Sequence, residues 1–335
     1  MTSIGTGLLD QESPEQIRSR PCPACYLCGT PGVLLYEGVK DRIFGASGMW
    51  SFKRCSSPGC GLMWLDPIPV EEDIGKAYAK YYTHAGVPAQ RKGLRKLLRK
   101  FASVLFVLAN PVHGERESLS LMFLDKVKPG KLLDVGCGNG VRLARLRSLG
   151  WDGYGQDVDP AAVAYARDIL GLEVHLGELE DMPFGEKSFD YITLNHVIEH
   201  AYDPVALLKK CRRLLKVGGL LVIVTPNASS FACKQFGPFW RGLEPPRHIH
   251  IFTPGTLSTI VVKAGFAISR SATTAANAKS FAHASLLIRN GGSPPRTFGD
   301  RIKSEIFPWV YLYRSIIEHS RNASSGEECV LIATD

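Results

Sequence analysis

No stretch of this chain approaches the roughly 18 to 20 consecutive apolar residues that a membrane-spanning helix requires. Residues 1–20 are polar, carry acids and have no apolar core, so they read as a disordered lead-in and not as a secretory signal. These two absences predict a cytoplasmic protein. Neither sign of charge dominates strongly. A net charge of +8 and a pI near 9.0 permit an anionic partner, nucleic acid or membrane, without requiring one. The 335 residues allow one large domain and a smaller one.

Cysteine is not lacking: there are nine, in two populations. Cys22, Cys25, Cys28, Cys55 and Cys60 cluster near the N-terminus, while Cys137, Cys211, Cys233 and Cys329 are scattered. In a reducing compartment, paired and clustered cysteines predict a metal site before a disulfide framework. Cys25-Tyr-Leu-Cys28-Gly is a knuckle that presents two thiolates on one turn, and Cys55-Ser-Ser-Pro-Gly-Cys60-Gly supplies a second, wider pair. Four thiolates predict a closed, structural zinc site at Cys25, Cys28, Cys55 and Cys60. Cys22 is the odd one out; it could replace Cys25, but only Cys28 and Cys60 are followed by glycine in matching positions. The module is placed at 21–90. Its aromatic residues, among them Trp50, Phe52, Trp64 and Tyr78, read first as the core that a small ribbon otherwise lacks and second as an acceptor pocket.

Residues 91–114 form a linker. Leu94, Leu97, Leu98, Phe101, Val104, Leu105 and Leu108 keep the spacing of one helix face, and basic side chains crowd the first turns. Such a helix can cap the following domain, or it can lie on an anionic membrane at the inner surface.

The chain is organised around Lys131-Leu-Leu-Asp-Val-Gly-Cys-Gly-Asn-Gly-Val-Arg-Leu143. An apolar run enters a loop with glycines at 136, 138 and 140, and an apolar-periodic segment follows: strand, tight loop, helix. Without Cβ atoms the loop backbone can take positive φ and approach a ligand, and the helix start offers unpaired N–H groups. Asp157 ends a second strand-like run about 20 residues further on, where a carboxylate can accept both ribose hydroxyls. The third glycine comes one position earlier than in the dinucleotide fingerprint, and Asp134 beside the loop suits a cation better than a pyrophosphate.

The string Leu-Leu-Asp-Val-Gly-Cys-Gly-Asn-Gly resembles motif I of the class I S-adenosylmethionine (SAM)-dependent methyltransferases. Downstream, alternating strands (Glu173 to Leu176, Phe189 to Asn195, Leu220 to Thr225) and helices (after Asp159-Pro160, and from about Pro204) predict an α/β fold. The expectation is a Rossmann-like, doubly wound, mostly parallel seven-stranded sheet over 115–335, preceded by the small zinc-ribbon-like module. The resemblance implies SAM contacts from Asp134, Gly136, Cys137, Gly138, Asn139 and Gly140, from Asp157 and Val158, from Glu178 and Leu179 beside the adenine, and from Asn195. Cys137 reads as a small packing residue in the loop. The ribbon, with Asp41-Arg42-Ile-Phe-Gly45 and Trp64-Leu-Asp-Pro67, looks like that of a bacterial subfamily often linked to polysaccharide or lipid modification.

Methyl transfer depends mainly on in-line positioning, and a base helps when the acceptor is an alcohol. Two strings place histidines at the active edge: Asn195-His196-Val-Ile-Glu199-His200 and Pro245-Pro246-Arg247-His248-Ile-His250. The expected order for the base is His248, then His196, then His200. Glu199-His200 also resembles the metal-binding pair of the quinone O-methyltransferases, whose motif has another Glu where this chain has His196; the reading here gives Glu199 a structural hydrogen-bonding role and no catalytic metal. A final strand at Glu328 to Ala333 leaves an insertion at about 274–326, with lid or acceptor-binding and purely structural roles both open.

The expected activity is O-methylation of a hydroxylated glycan, lipid or other small acceptor. The alternatives are a zinc-ribbon RNA methyltransferase and a non-catalytic SAM-binding protein. Against RNA, the loop after the fourth strand lacks the Asn/Asp-Pro-Pro-Tyr used on base amines, and the ribbon lacks a dense basic stripe.

Overall fold

A computed structural model describes residues 16–79, 111–294 and 297–335. The basic helix expected within 91–114 falls largely outside the described residues, as do Tyr81 and Tyr82. Among the described residues no helix is long and apolar enough to cross a membrane.

The N-terminal module is built on three antiparallel strands, β1 (Gly32–Val39), β2 (Trp50–Cys55) and β3 (Met63–Leu65). The large domain supplies β4 (Lys131–Val135), β5 (Asp152–Asp157), β6 (Glu173–Leu176), β7 (Phe189–Asn195), β8 (Leu215–Pro226), the short β9 (His250–Ile251), β10 (Ala267–Thr274) and β11 (Glu328–Thr334). Its helices are α1 (His113–Ser120), α2 (Val141–Ser148), α3 (Pro160–Asp168), α4 (Pro204–Leu214), α5 (Phe231–Phe236), α6 (Pro254–Lys263), α7 (Ala278–Arg289) and α8 (Phe298–Arg321).

Seven strands form one sheet in the order β10-β11-β8-β7-β4-β5-β6. Only β11 runs antiparallel to its neighbours. Strand alternation sends successive side chains to opposite faces. Leu133, Leu221, Ile223 and Leu331 accordingly pack into one apolar layer with Leu208 of α4 and Ile260 of α6. Leu132, Val222, Val224 and Val330 pack into another with Leu143 of α2 and Val163 of α3. Both faces of the sheet are covered, which directs ligands to the carboxyl ends of the strands.

The two sequence-defined modules are joined through a shared sheet. β9 of the large domain pairs antiparallel with β3, His250 opposite Trp64 and Ile251 opposite Met63, so the ribbon sheet has four strands. A third apolar cluster crosses the boundary, with Trp50, Phe52, Met63 and Leu65 against Trp240, Leu243, Phe281 and Tyr311. Trp50, Phe52 and Trp64 are buried, in keeping with their reading as core. Residues counted in the lead-in are also used: Ser19–Arg20 pairs with Ile68–Pro69, and Arg18 binds Asp73. That pairing brings together short segments from either end of the ribbon, which a local pattern does not reveal.

The insertion folds as α7 and α8, packed against each other and against α5. α7 faces the active edge.

Candidate functional site

The glycine loop has the backbone its sequence predicts. Gly136, Gly138 and Gly140 have φ of +62°, +55° and +74°, the left-handed region that L side chains rarely adopt. Space enforces the same choice at Gly140, where a Cβ would meet Leu172 at 2.5 Å. Asp157, at the end of β5, buttresses this loop: its Oδ2 accepts the Gly138 amide at 2.7 Å and its Oδ1 the Asp159 amide at 2.9 Å. Asp159 caps α3 through Ala161, as expected. Asp134 sits behind the loop, where Oδ1 accepts from Thr193 at 2.7 Å and Oδ2 is buried without a partner. Burial pushes its carboxyl above the ordinary range, opposed by Arg142. The Cys137 thiol is also pushed up by burial, and its sulfur lies where a Cβ on Gly155 would be, 2.6 Å away. It is a packing thiol.

A cleft of about 1660 Å³ opens along the carboxyl ends of the strands. Gly136, Cys137, Gly138, Asn139, Asp157, Val158, Glu178, Leu179 and Asn195 line one end. Asp134 and Gly140 shape the loop from behind. The donor set fits SAM: carboxylates at 157 and 178 for ribose hydroxyls and an amino-purine, apolar Val158 and Leu179 alongside, and a glycine backbone that permits close approach. Ligand pockets usually occupy roughly 300–1,000 Å³, so the cleft has room for a cofactor and an acceptor together.

The other end holds the histidines, and they are not equivalent. His196 Nε2 lies 2.7 Å from Glu328 Oε1, and its Nδ1 lies 3.2 Å from Glu199 Oε1 as an ion-pair contact. Burial alone would depress this imidazole, but the two carboxylates outweigh it and push it up to about 10. Both nitrogens carry protons at neutral pH. His248 is buried; its Nδ1 donates to the Gly242 carbonyl at 2.8 Å, and burial pushes it down to about 4 despite nearby Glu244. It is a neutral, weak base.

His200 is half-buried and lines the cleft. Its Nδ1 lies 3.0 Å from the Arg247 carbonyl and 3.1 Å from the Tyr78 hydroxyl. A carbonyl can only accept, so Nδ1 carries a proton, and in the neutral ring Nε2 is the nitrogen left to accept. On this geometry His200 is the candidate base, with His248 a weaker one and His196 committed as a cation.

Glu199 is fully buried; Thr225 donates to its Oε2 at 2.8 Å, and Oε1 has no hydrogen-bond partner. Burial would raise this carboxyl, but the His196 charge outweighs it and holds it near 2. Glu199, His200 and His248 present ligand atoms within 4.8 Å of one another, a donor set that fits a divalent cation.

Arg247 and Glu328 were not given roles from sequence, nor were individual residues of the insertion. Arg247 is buried and bonds Asp41, Glu244 and the Ala77 carbonyl. Glu328 anchors His196 and accepts from Asn277, just before α7, at 2.9 Å. Tyr78, read as ribbon core, lines the cleft, as do Asn277, Ser280, Phe281 and Ala284 of the insertion. The available signal was acidic residues opening an otherwise apolar strand: Glu327 and Glu328 precede Cys-Val-Leu-Ile.

At the ribbon, the Cys25 and Cys60 sulfurs lie 3.7 Å apart, and those of Cys28 and Cys55 3.5 Å apart. All four fall within 4.8 Å of one another. Thiolates at about 2.3 Å from a tetrahedral zinc stand roughly 3.8 Å apart, so the spacing fits zinc and not a 2.05 Å disulfide. Gly29 and Gly61, after the two knuckle cysteines, both have φ of +71°. Cys22 lies outside the group; its amide binds Asp66.

Residues 114–270 match a family model described as a methyltransferase domain. A ubiquinone biosynthesis O-methyltransferase of Cereibacter sphaeroides is 35% identical over 146 residues, which cover 40% of this chain and 59% of the relative. A Mycobacterium tuberculosis protein named "probable S-adenosylmethionine-dependent methyltransferase" is 29% identical over 136 residues, 40% of this chain and 48% of its own. The chain thus spans 59% or less of the length of these relatives. Among solved structures, a SAM-dependent methyltransferase from Mesorhizobium loti aligns with a TM-score of 0.46 at 17% identity, covering 66% of this chain and 98% of that one.

Proposed function

We propose that the chain, whose residues 114–270 match a methyltransferase domain model, is a SAM-dependent methyltransferase that methylates a hydroxyl of a small acceptor bound beside His200. When bound, SAM supplies an electrophilic methyl group on a sulfonium. Asp157 takes the ribose hydroxyls, Glu178 and Leu179 flank the adenine, and the 136–140 backbone lies against the amino-acid portion. The acceptor occupies the end of the cleft formed by Tyr78, His200, Phe281 and Ala284. His200 Nε2 receives the acceptor proton as the oxygen attacks, while the Arg247 carbonyl keeps the Nδ1 proton in place. The observation that carries this reading is the His200 geometry: Nδ1 3.0 Å from the Arg247 carbonyl, on a ring that lines the cleft.

The named O-methylating relatives support an oxygen acceptor. The cleft's charge supports a small acceptor over RNA, since eight Asp and Glu line it against four Lys and Arg. That balance repels a polyanion. We further propose that zinc occupies the four-cysteine site as a structural ion.

A second reading is favoured by the grouping of Glu199, His200 and His248, whose ligand atoms lie within 4.8 Å of one another. A divalent cation held by Glu199, His200 and His248 would lower the pKa of a coordinated acceptor hydroxyl, replacing the base. One experiment separates the readings. Zinc-replete protein is titrated with SAM, then supplied with phenolic, sugar and lipid-linked hydroxyl acceptors, with RNA as control, before and after treatment with a chelator that leaves the ribbon loaded. Transfer that survives chelation supports the base reading, transfer lost and restored by Mg2+ or Zn2+ supports the cation, and no SAM binding refutes both.

A further inference from the structure

The loop that presents His248, and whose Arg247 carbonyl fixes His200, is held from the N-terminal ribbon. The Arg247 guanidinium is fully buried. Nη2 donates to Asp41 Oδ2 at 2.8 Å, Nη1 to the Ala77 carbonyl at 2.7 Å and Nε to Glu244 Oε1 at 3.0 Å, and the guanidinium stacks over the Phe44 ring at 4.9 Å. Asp41 is itself fixed. Its Oδ1 accepts from the Ile43 and Phe44 amides, and its Oδ2 also accepts from Ala46. The Arg247 amide closes a turn onto Glu244, Ile249 donates to the Glu199 carbonyl, and Leu65 of β3 donates to Ile249.

We propose that Asp41 is a positioning residue for the active edge, acting through Arg247 on the tautomer of His200. The physical chain is short. Asp41 neutralises and orients a buried guanidinium, the guanidinium fixes the backbone of residue 247, and that residue's carbonyl accepts the Nδ1 proton of His200. Neutralising Asp41 leaves the buried guanidinium with Glu244 alone, a carboxylate that Arg241 also contacts, so Arg247 is under-compensated and its segment is drawn toward Glu244. Tyr78, the other neighbour of His200 Nδ1, comes from the segment whose Ala77 carbonyl Arg247 holds. A displaced Arg247 therefore leaves Tyr78 to donate to Nδ1 and moves the proton to Nε2. The ribbon becomes part of the catalytic machinery, not an appended module. The inference rests on His200 being the group that meets the acceptor.

The test needs no acceptor. The ring nitrogens of His200 are read by 15N NMR in the full, zinc-loaded chain, with His200→Gln identifying the signal, in wild type, Asp41→Asn and Asp41→Glu. SAM affinity is measured on each by calorimetry. Wild type is expected to show a protonated Nδ1 and an unprotonated Nε2. Asp41→Asn is isosteric and keeps an acceptor for the loop amides, yet it should move the proton to Nε2 or average the two forms, with SAM affinity unchanged. Asp41→Glu should restore the wild-type pattern in part. An unchanged His200 spectrum in Asp41→Asn overturns the proposal. So does loss of SAM binding in parallel with the His200 change in both variants, which marks a general loss of fold. Failure of wild type to bind SAM refutes the methyltransferase reading and leaves the tautomer result standing.

Discussion

His196 joins the loop after β7 to the first residue of the last strand: its Nε2 is 2.7 Å from Glu328 Oε1, and its Nδ1 is 3.2 Å from Glu199 Oε1. Substituting His196 with Gln leaves two buried carboxylates without a counter-charge. The expected loss is about 2 kcal/mol, less than for a fully buried pair because 31% of the imidazole side chain is exposed. The contribution of His196 is complete below its unfolded value of 6.5 and is lost as pH rises through about 10. Thermal melts should show an alkaline decline near pH 10 in wild type and a flatter one in the variant; equal declines count against the clamp.

Asp157 holds the glycine loop as well as facing the cleft, so on the proposed reading it acts on SAM binding twice. In Asp157→Ala the Gly138 and Asp159 amides lose their acceptors and the ribose hydroxyls lose theirs. Each lost charge-assisted bond is worth about 1.5–3 kcal/mol, so affinity should fall by at least about tenfold, measured by calorimetry. A variant that binds SAM as tightly as wild type places the ribose elsewhere.

The sheet was legible because its rules are local. The apolar run before Gly136, the Asp159-Pro160 helix start and the apolar strand near the C-terminus each report their own neighbourhood, and their alternation gives an α/β sheet; the insertion of the last strand between β10 and β8 does not follow from it. The knuckle cysteines were legible because metal geometry demands their spacing. What joins the modules was not. β9 is only two residues long and pairs with a strand far away in sequence. The partner of Arg247, Asp41, is likewise visible only once the ribbon is docked. The histidines were legible as a group at the active edge; what separates them is set by neighbours from other loops, which a local pattern does not report.

Metal removal tests the ribbon. One zinc per chain is expected by elemental analysis, with loss of Cys25, Cys28, Cys55 or Cys60 abolishing it and loss of Cys22 leaving it. Structural zinc contributes several kcal/mol to small modules. Because β3 pairs with β9, chelation should also loosen the 241–250 segment, read as faster amide exchange at Ile249 and Ile251. Faster exchange confined to the knuckles would show that the module docks without help from the metal.

Glu327 gives the fold a pH dependence of its own. It is wholly buried where β11 meets α5 and α8. Tyr311 and Ser315 each donate to its Oε1 at 2.8 Å, and the Ala232 amide donates to Oε2 at 3.2 Å. Burial outweighs these donors and pushes the carboxyl up to about 7 from 4.5. Between those two values the unfolded chain has released its proton while the native chain keeps it, so stability falls as pH rises across the window and levels off above about 7. The shift corresponds to about 3 kcal/mol. Glu327→Gln retains an oxygen for Tyr311 and Ser315 but cannot ionise. Its stability relative to wild type, from urea unfolding at pH 4 and pH 8, should therefore rise by about that amount with pH. A difference independent of pH would mean that Glu327 titrates alike in the native and unfolded chains, with the Tyr311, Ser315 and Ala232 donors offsetting its burial.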